Sequence, residues 1–293
     1  MPTRGKVEEY LARHNRNAAS LLAAFHGLSD TNYLNEAATN FPNDPRVQLT
    51  VLARNAFPEE RRKWLDSFKT SSPSNSLANY LSARDYFKDN QPDAAMKELS
   101  AAAGKSQFKD YSMETILDGE ELGRFSGSSA DDTRNNSMAG MSGDLLPELA
   151  NLKGVASDIR DLQQRYVNLG DPGSAQNLAQ LGLGLTARFS NGDSGKFLIS
   201  QLVGMGAEAI VLDSLDKNTS YDFLGGQTPA QRLAELKQER ASFSELSKNF
   251  GAIYNAMNED QMAGYWERQK IYGELDALRW LRQQNMATPN SGN

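Results

Sequence analysis

Two distant stretches of this chain carry the same residue types at the same offsets: Tyr86 and Tyr166, Asn90 and Gly170, Pro92 and Pro172, Ala95 and Ala175. Each reads as one helix ending and another beginning. Asn and Gly are the residues that tolerate the left-handed backbone at which helices stop. Proline suits the first position of a helix, where its missing N–H would be unpaired anyway. Two weaker copies precede them: Tyr33-Leu34 with Pro42, and Trp64-Leu65 with Pro73, displaced by 31 residues. A chain built on repeated helix–turn–helix junctions cannot bury the faces of one hairpin alone. It must stack several of them.

The spacing of apolar residues agrees. From Thr228 to Met257, Leu233, Leu236, Phe243, Leu246, Phe250, Ile253, Tyr254 and Met257 keep to one stripe at 3.6 residues per turn. Thr228-Pro229-Ala230-Gln231 marks the start, with a capping hydroxyl, a proline and a glutamine able to reach back. A second long helix after Asn258 carries Met262, Trp266, Ile271, Leu275, Leu278 and Leu281, and the two predict an antiparallel C-terminal hairpin. No alternating run bounded by hairpin turns is present, so strands are not expected. The fold class is all-α.

In the tetratricopeptide repeat family, units of about 34 residues pair antiparallel helices, with a small residue, a Tyr, a Gly and two Ala at fixed offsets. Ser76–Lys109 presents Ala83, Tyr86, Asn90, Ala95 and Ala102 there. Ala156–Phe189 presents Tyr166, Gly170, Ala175 and Gly182, with Gln163 in place of the small residue. The family's early aromatic is replaced by Asn79 and Ile159. The chain therefore resembles this family in degenerate form, over about 18–189 with the Gly/Ser-rich stretch excluded. The resemblance implies an α-solenoid of stacked hairpins whose first helices line a concave face for an extended peptide or partner helix. It also implies groove residues at Tyr80, Arg84 and Lys88, and at Arg160, Gln164 and Asn168.

Residues 123–143 are rich in Gly, Ser, Asn and Asp with almost no aliphatic residue, a composition that predicts a linker. The expected organisation is a helical block over 1–122 with about three repeat-like units, an acidic linker over 123–143, and a second block over 144–287. A disordered tail follows at 288–293, the end of a polar stretch from Met286. Between residues 108 and 150, three basic residues face nine acidic ones, which equals the chain's whole net charge of −6. That stretch reads as a solubilising face or as a docking surface for a basic partner. Glycines gather between Gly119 and Gly226, and Gly182-x-Gly184 and Gly204-x-Gly206 inside helical pattern imply close helix–helix approach.

Composition narrows the chemistry. Absence of cysteine excludes disulfides, thiolate metal sites and cysteine nucleophiles. Two histidines, His14 and His26, are too few for a multi-histidine metal centre, and both are expected to face solvent or cap helices. No catalytic, metal or cofactor residue is assigned. Glu114, Asp118, Glu120 and Glu121 read as a solvated acidic face. The negative balance argues against nucleic acid as partner. The most apolar run, 197–212, is 16 residues long and interrupted by Gln201 and Glu208, so it reads as a core helix and no membrane span is expected. Met1–Glu9 has no apolar signal region. No compartment follows from the sequence: the chain as given is expected to be soluble, cytoplasmic or, if a leader or anchor was trimmed, periplasmic or envelope-associated. Tyr254, Tyr265, Trp266, Tyr272 and Trp280 read as core, with a partner-binding strip as the lesser alternative. The expectation is a non-enzymatic scaffold for protein association. The alternative is an all-α small-molecule binder or hydrolase with its site between the halves, drawing on Glu120, Glu121 and His26.

Overall fold

The computed structural model describes residues 2–190, 194–248 and 250–287. Among them the secondary structure is helical, apart from one isolated bridge between Asn75 and Gln107. The expected tail at 288–293 lies outside the described residues. No described helix is long and apolar enough to cross a membrane.

The chain divides into two compact units, Met1–Gly154 and Val155–Asn293. The first contains α1 (Arg4–Arg13), α2 (Ala18–Leu28), α3 (Thr31–Asn40), α4 (Pro45–Arg54), α5 (Arg61–Ser71), α6 (Leu77–Lys88), α7 (Pro92–Ala103) and α8 (Ser112–Phe125). The division falls inside α9 (Ala130–Asn168). Side chains at the helix starts fix the boundaries. Thr3, Asn17, Asp30 and Asp44 each accept a backbone N–H of the following first turn, an interaction that contributes about 1 kcal/mol per helix. From α1 to α7 each helix packs on its successor, and α8 returns to lie on α1 and α2. The core of this unit is formed by Tyr10, Leu21, Leu34, Leu65, Phe68, Leu81 and Leu99, all essentially inaccessible.

The two matching junctions have the same hydrogen bonds. Asn90 and Gly170 sit at φ 55° and 75°. Gln91 N–H donates to Tyr86 O at 2.8 Å, and Asp171 N–H to Tyr166 O at 2.9 Å. The following prolines open α7 and α10 (Pro172–Arg188). Ala83, Ala95 and Ala102 are fully buried and Ala175 nearly so.

The second unit continues with α11 (Leu198–Asp213), α12 (Pro229–Ser247), α13 (Phe250–Asn255), α14 (Glu259–Tyr272) and α15 (Glu274–Ala287). The glycine pairs divide their work. A Cβ on Gly182 would stand 2.8 Å from Val211, and one on Gly204 would stand 2.7 Å from Phe189, whereas Gly184 and Gly206 meet nothing within 4 Å. One member of each pair therefore permits the approach of α10 and α11.

Two expectations are corrected. Residues 123–143 are not a linker: they finish α8, turn through Gly127 at φ 70°, and continue into α9. Their small side chains face neighbours. A Cβ on Gly119 would stand 2.6 Å from Ser137 Oγ, and the place of one on Gly123 is taken by Thr133. Thr133 and Ser137 are buried. Secondly, the two long C-terminal helices are four. The first ends where Lys248 becomes extended, and the second is interrupted at Gly273, whose φ of 94° no helix accommodates. The tightest pair here is α14 against α15, with Gly264 receiving the Trp280 ring. The C-terminal aromatics mostly face inward, in keeping with their reading as core. Tyr265 is buried, Trp266 and Trp280 pack on the Leu198–Leu278–Leu281 cluster, and Tyr272 is exposed.

Candidate functional site

Of the groove residues implied by the repeats, three lie in the first unit, but they do not form one surface. Tyr80 is 1% exposed, its ring against Phe108, and presents nothing to a partner. Arg84 lies along α9, occupying the place where a side chain on Gly154 would stand. Only Lys88 is exposed, at the edge of an open groove of about 530 Å³ that Asn55, Glu59, Arg62, Asp89 and Asn151 also line. Arg61 at its wall is spent on Asp85 at 2.9 Å and on Leu52 O at 3.0 Å. Arg62 stacks over Tyr86 at 4.1 Å and donates to Ser82. In the second unit Arg160 pairs with its neighbour Asp161, and Gln164 and Asn168 are exposed.

The acidic stretch behaves differently from its sequence reading. Asp110, Glu120, Asp144 and Glu148 are buried, and Asp118 is largely so, which corrects the expectation of a solvated face or a carboxylate docking surface. Glu121 and Asp132 are exposed. Within the first unit these carboxylates meet cations of the earlier helices: Asp118 pairs with Arg46, and Asp144 takes Arg54 Nε at 2.7 Å on one oxygen and Thr50 Oγ1 at 3.1 Å on the other.

His26 enters the same cluster, and it does not face solvent. Its side chain is 6% exposed. It fits against α9 because residue 140 is glycine, where a Cβ would stand 2.8 Å from His26 Cβ. Nε2 lies 3.3 Å from Asp144 Oδ2, yet neither ring nitrogen makes a directed hydrogen bond. The distance permits attraction while the angle forbids a proper bond, so the pair is electrostatic only. Burial holds the imidazole pKa below its ordinary value against the opposing pull of Asp144, with Arg54 and Arg46 adding to the depression. Glu148, one turn beyond Asp144, is driven the other way: burial, then the charges of Asp110 and Asp144, raise its carboxyl well above the usual range. Its Oε1 has no hydrogen-bond partner.

His26 and Arg54 line a cleft of about 560 Å³ together with Phe25, Ser29, Thr31 and Asn35. Arg54 lies 5.2 Å over the Phe25 ring. Glu120 and Glu121, grouped with His26 from the sequence, are elsewhere: Glu120 is 3.6 Å from Arg124, and Glu121 accepts Tyr10 Oη at 3.4 Å and lies beside His14. Among the described residues no group of three or more His, Asp or Glu is placed to hold a metal ion.

Protein-family models, curated proteins and solved structures contain no match to this chain.

Sequence reasoning missed that Asp144, which takes Thr50 and Arg54 as donors, lies beside His26. Distance along the chain conceals it. The available signal was the run of glycines at 140 and 143, each accommodating one of these cationic or titratable side chains.

Proposed function

We propose that this protein is a non-enzymatic scaffold of helical-repeat type, its hairpins stacked as in tetratricopeptide repeats, which holds an extended peptide of a protein partner on the first unit. The observation that carries this reading is the open groove beside α6. Asn55 and Asn151 each offer a donor and an acceptor matched to a peptide group. Lys88 offers an ammonium to a partner carboxylate. The matching junctions at Asn90 and Gly170, and the succession of packed neighbours from α1 to α7, support the repeat architecture.

The test is crosslinking affinity purification of the tagged chain from its own cells, comparing wild type with Lys88→Glu plus Asn151→Ala. Partners captured by the wild type are expected to be lost from the variant, with helicity by circular dichroism unchanged. Identical capture by both proteins removes the groove assignment.

A further inference from the structure

The peptide groove makes no use of the buried carboxyl groups where the loop over residues 104–111, between α7 and α8, meets α9. We propose that Glu148 keeps a proton and donates it to Asp110, and that this carboxyl–carboxylate bond latches the loop against α9 and opens when a rise in pH removes the proton.

Glu148 is 2% exposed, and its Oε1 is buried without a hydrogen-bond partner. A carboxyl so placed is satisfied by receiving a donor or by donating a proton of its own. The charges acting on it are Asp110 of the loop and Asp144 one turn back along α9, and both are negative. Asp144 is already engaged, with Arg54 on one oxygen and Thr50 on the other. Asp110 is buried as well, and its Oδ1 accepts Ser112 N–H at 3.0 Å. A carboxylate accepts about four donors, so that bond leaves it able to take an acidic proton. Two carboxylates in one buried site repel each other strongly, and one proton held between them removes the repulsion.

The loop carries strain that such a bond restrains. Tyr111, next to Asp110, stands at φ 56°. A non-glycine residue in that region costs about 1–3 kcal/mol and persists only where its surroundings hold it. The other end of the loop is anchored independently, on the segment before α6. Asn75, fully buried, donates to Lys109 O at 2.9 Å and accepts Lys109 N–H at 3.0 Å, while Ser76 N–H donates to Gln107 O. Ionising Glu148 breaks its bond to Asp110 and places a further negative charge beside it. Relaxation then begins at Asp110 and Tyr111 and loosens the first turn of α8, which Ser112 opens.

Charges on the neighbouring elements do not replace the proton. Arg54 and Arg46 of α4 are paired with Asp144 and with Asp118 of α8. Glu114 of α8 adds a further carboxyl, and His26 of α2 lies beside Asp144. Arg84 of α6 lies against Gly154, further along α9. On the loop itself, Lys109 is exposed and Lys105 donates to Asn75 O at 3.3 Å. The latch is therefore closed in acid and loosens as pH rises.

The experiment is NMR of the full chain across pH, following the Glu148 carboxyl carbon together with hydrogen exchange of the Ser112 and Thr115 amides, corrected for the intrinsic exchange rate. Glu148 is expected to titrate above the ordinary carboxyl range. Between that range and its own midpoint, protection of both amides is expected to fall about tenfold per pH unit. Glu148→Gln, whose amide donates to Asp110 at any pH, is expected to abolish the slope. Asp110→Asn is expected to lower the Glu148 midpoint, because the repelling charge is gone and an amide N–H favours the ionised form. Titration of Glu148 in the ordinary range overturns the proposal, as does a slope that survives in Glu148→Gln. Protection of Ser112 and Thr115 equal to that of the core Leu81 amide at every pH also overturns it, since the loop would then open only as the whole unit unfolds. Should Glu148→Gln fail to fold, Asp110→Asn decides: an unchanged Glu148 midpoint removes the latch.

Discussion

At the scale of the residue, the unusual members of this chain are two buried titratable groups whose pKa values the fold pushes toward the uncharged form. Glu148 has its carboxyl pKa raised by burial and by Asp110 and Asp144. The folded state therefore holds a proton that the unfolded chain releases near pH about 4.3, and stability falls as pH rises from there toward the folded value. His26 has the opposite sign. Its folded pKa is depressed, so the unfolded chain takes up a proton first, near pH about 6.5, and stability falls as pH drops below that. Replacing Glu148 with Gln removes the first slope. Urea unfolding at neutral pH is expected to show the variant about 1 kcal/mol more stable than wild type, with the difference vanishing in acid. A variant equally destabilised at every pH would mean that Glu148 makes a structural contact outweighing its ionisation.

At the scale of the element, small residues decide where helices approach. Gly182 and Gly204 face α11 and Phe189 respectively at distances no methyl tolerates, while Gly184 and Gly206 face open space. Alanine at 182 or 204 is expected to cost about 1–3 kcal/mol by overpacking. Alanine at 184 or 206 is expected to stabilise by up to about 1 kcal/mol through helix propensity. Thermal denaturation of the four single variants separates the pairs, and uniform behaviour would refute the assignment of α10 against α11. Elements with local signals were legible in the sequence. The Thr228–Gln231 capping box forms as read, with both of its hydrogen bonds, and so do the turns at Asn90 and Gly170. The break after Ser247 was overlooked because the apolar stripe runs on through it, although Asn249 and Gly251 close by are residues at which helices stop. The one at Gly273 was signalled only by a lone glycine within an apolar stripe.

At the scale of the whole molecule, composition misled where it mattered most. Residues 123–143 have a linker's composition because bulk is absent, yet that absence is what lets α8 and α9 close on one another through Gly119, Gly123, Thr133 and Ser137. The candidate site was illegible for the same reason: nothing in a single sequence pairs His26 with a carboxylate at 144. Arg134 provides a test. It sits in α9 with its side chain 15% exposed, ion-paired to Asp131. Brief trypsin digestion of the native chain is expected to spare it, and early cleavage after Arg134 would restore the linker.

The inward turn of the acidic stretch has a consequence for the molecule's ionic behaviour. Residues 1–107 contain 14 basic and 12 acidic side chains, so α1 to α7 alone form a weak cation inside a chain of net charge −6. The segment that follows supplies covalently tethered counterions to two of those cations, Asp118 to Arg46 and Asp144 to Arg54. Screening reaches exposed charges readily and buried pairs poorly. High ionic strength should therefore leave Asp144 on Arg54.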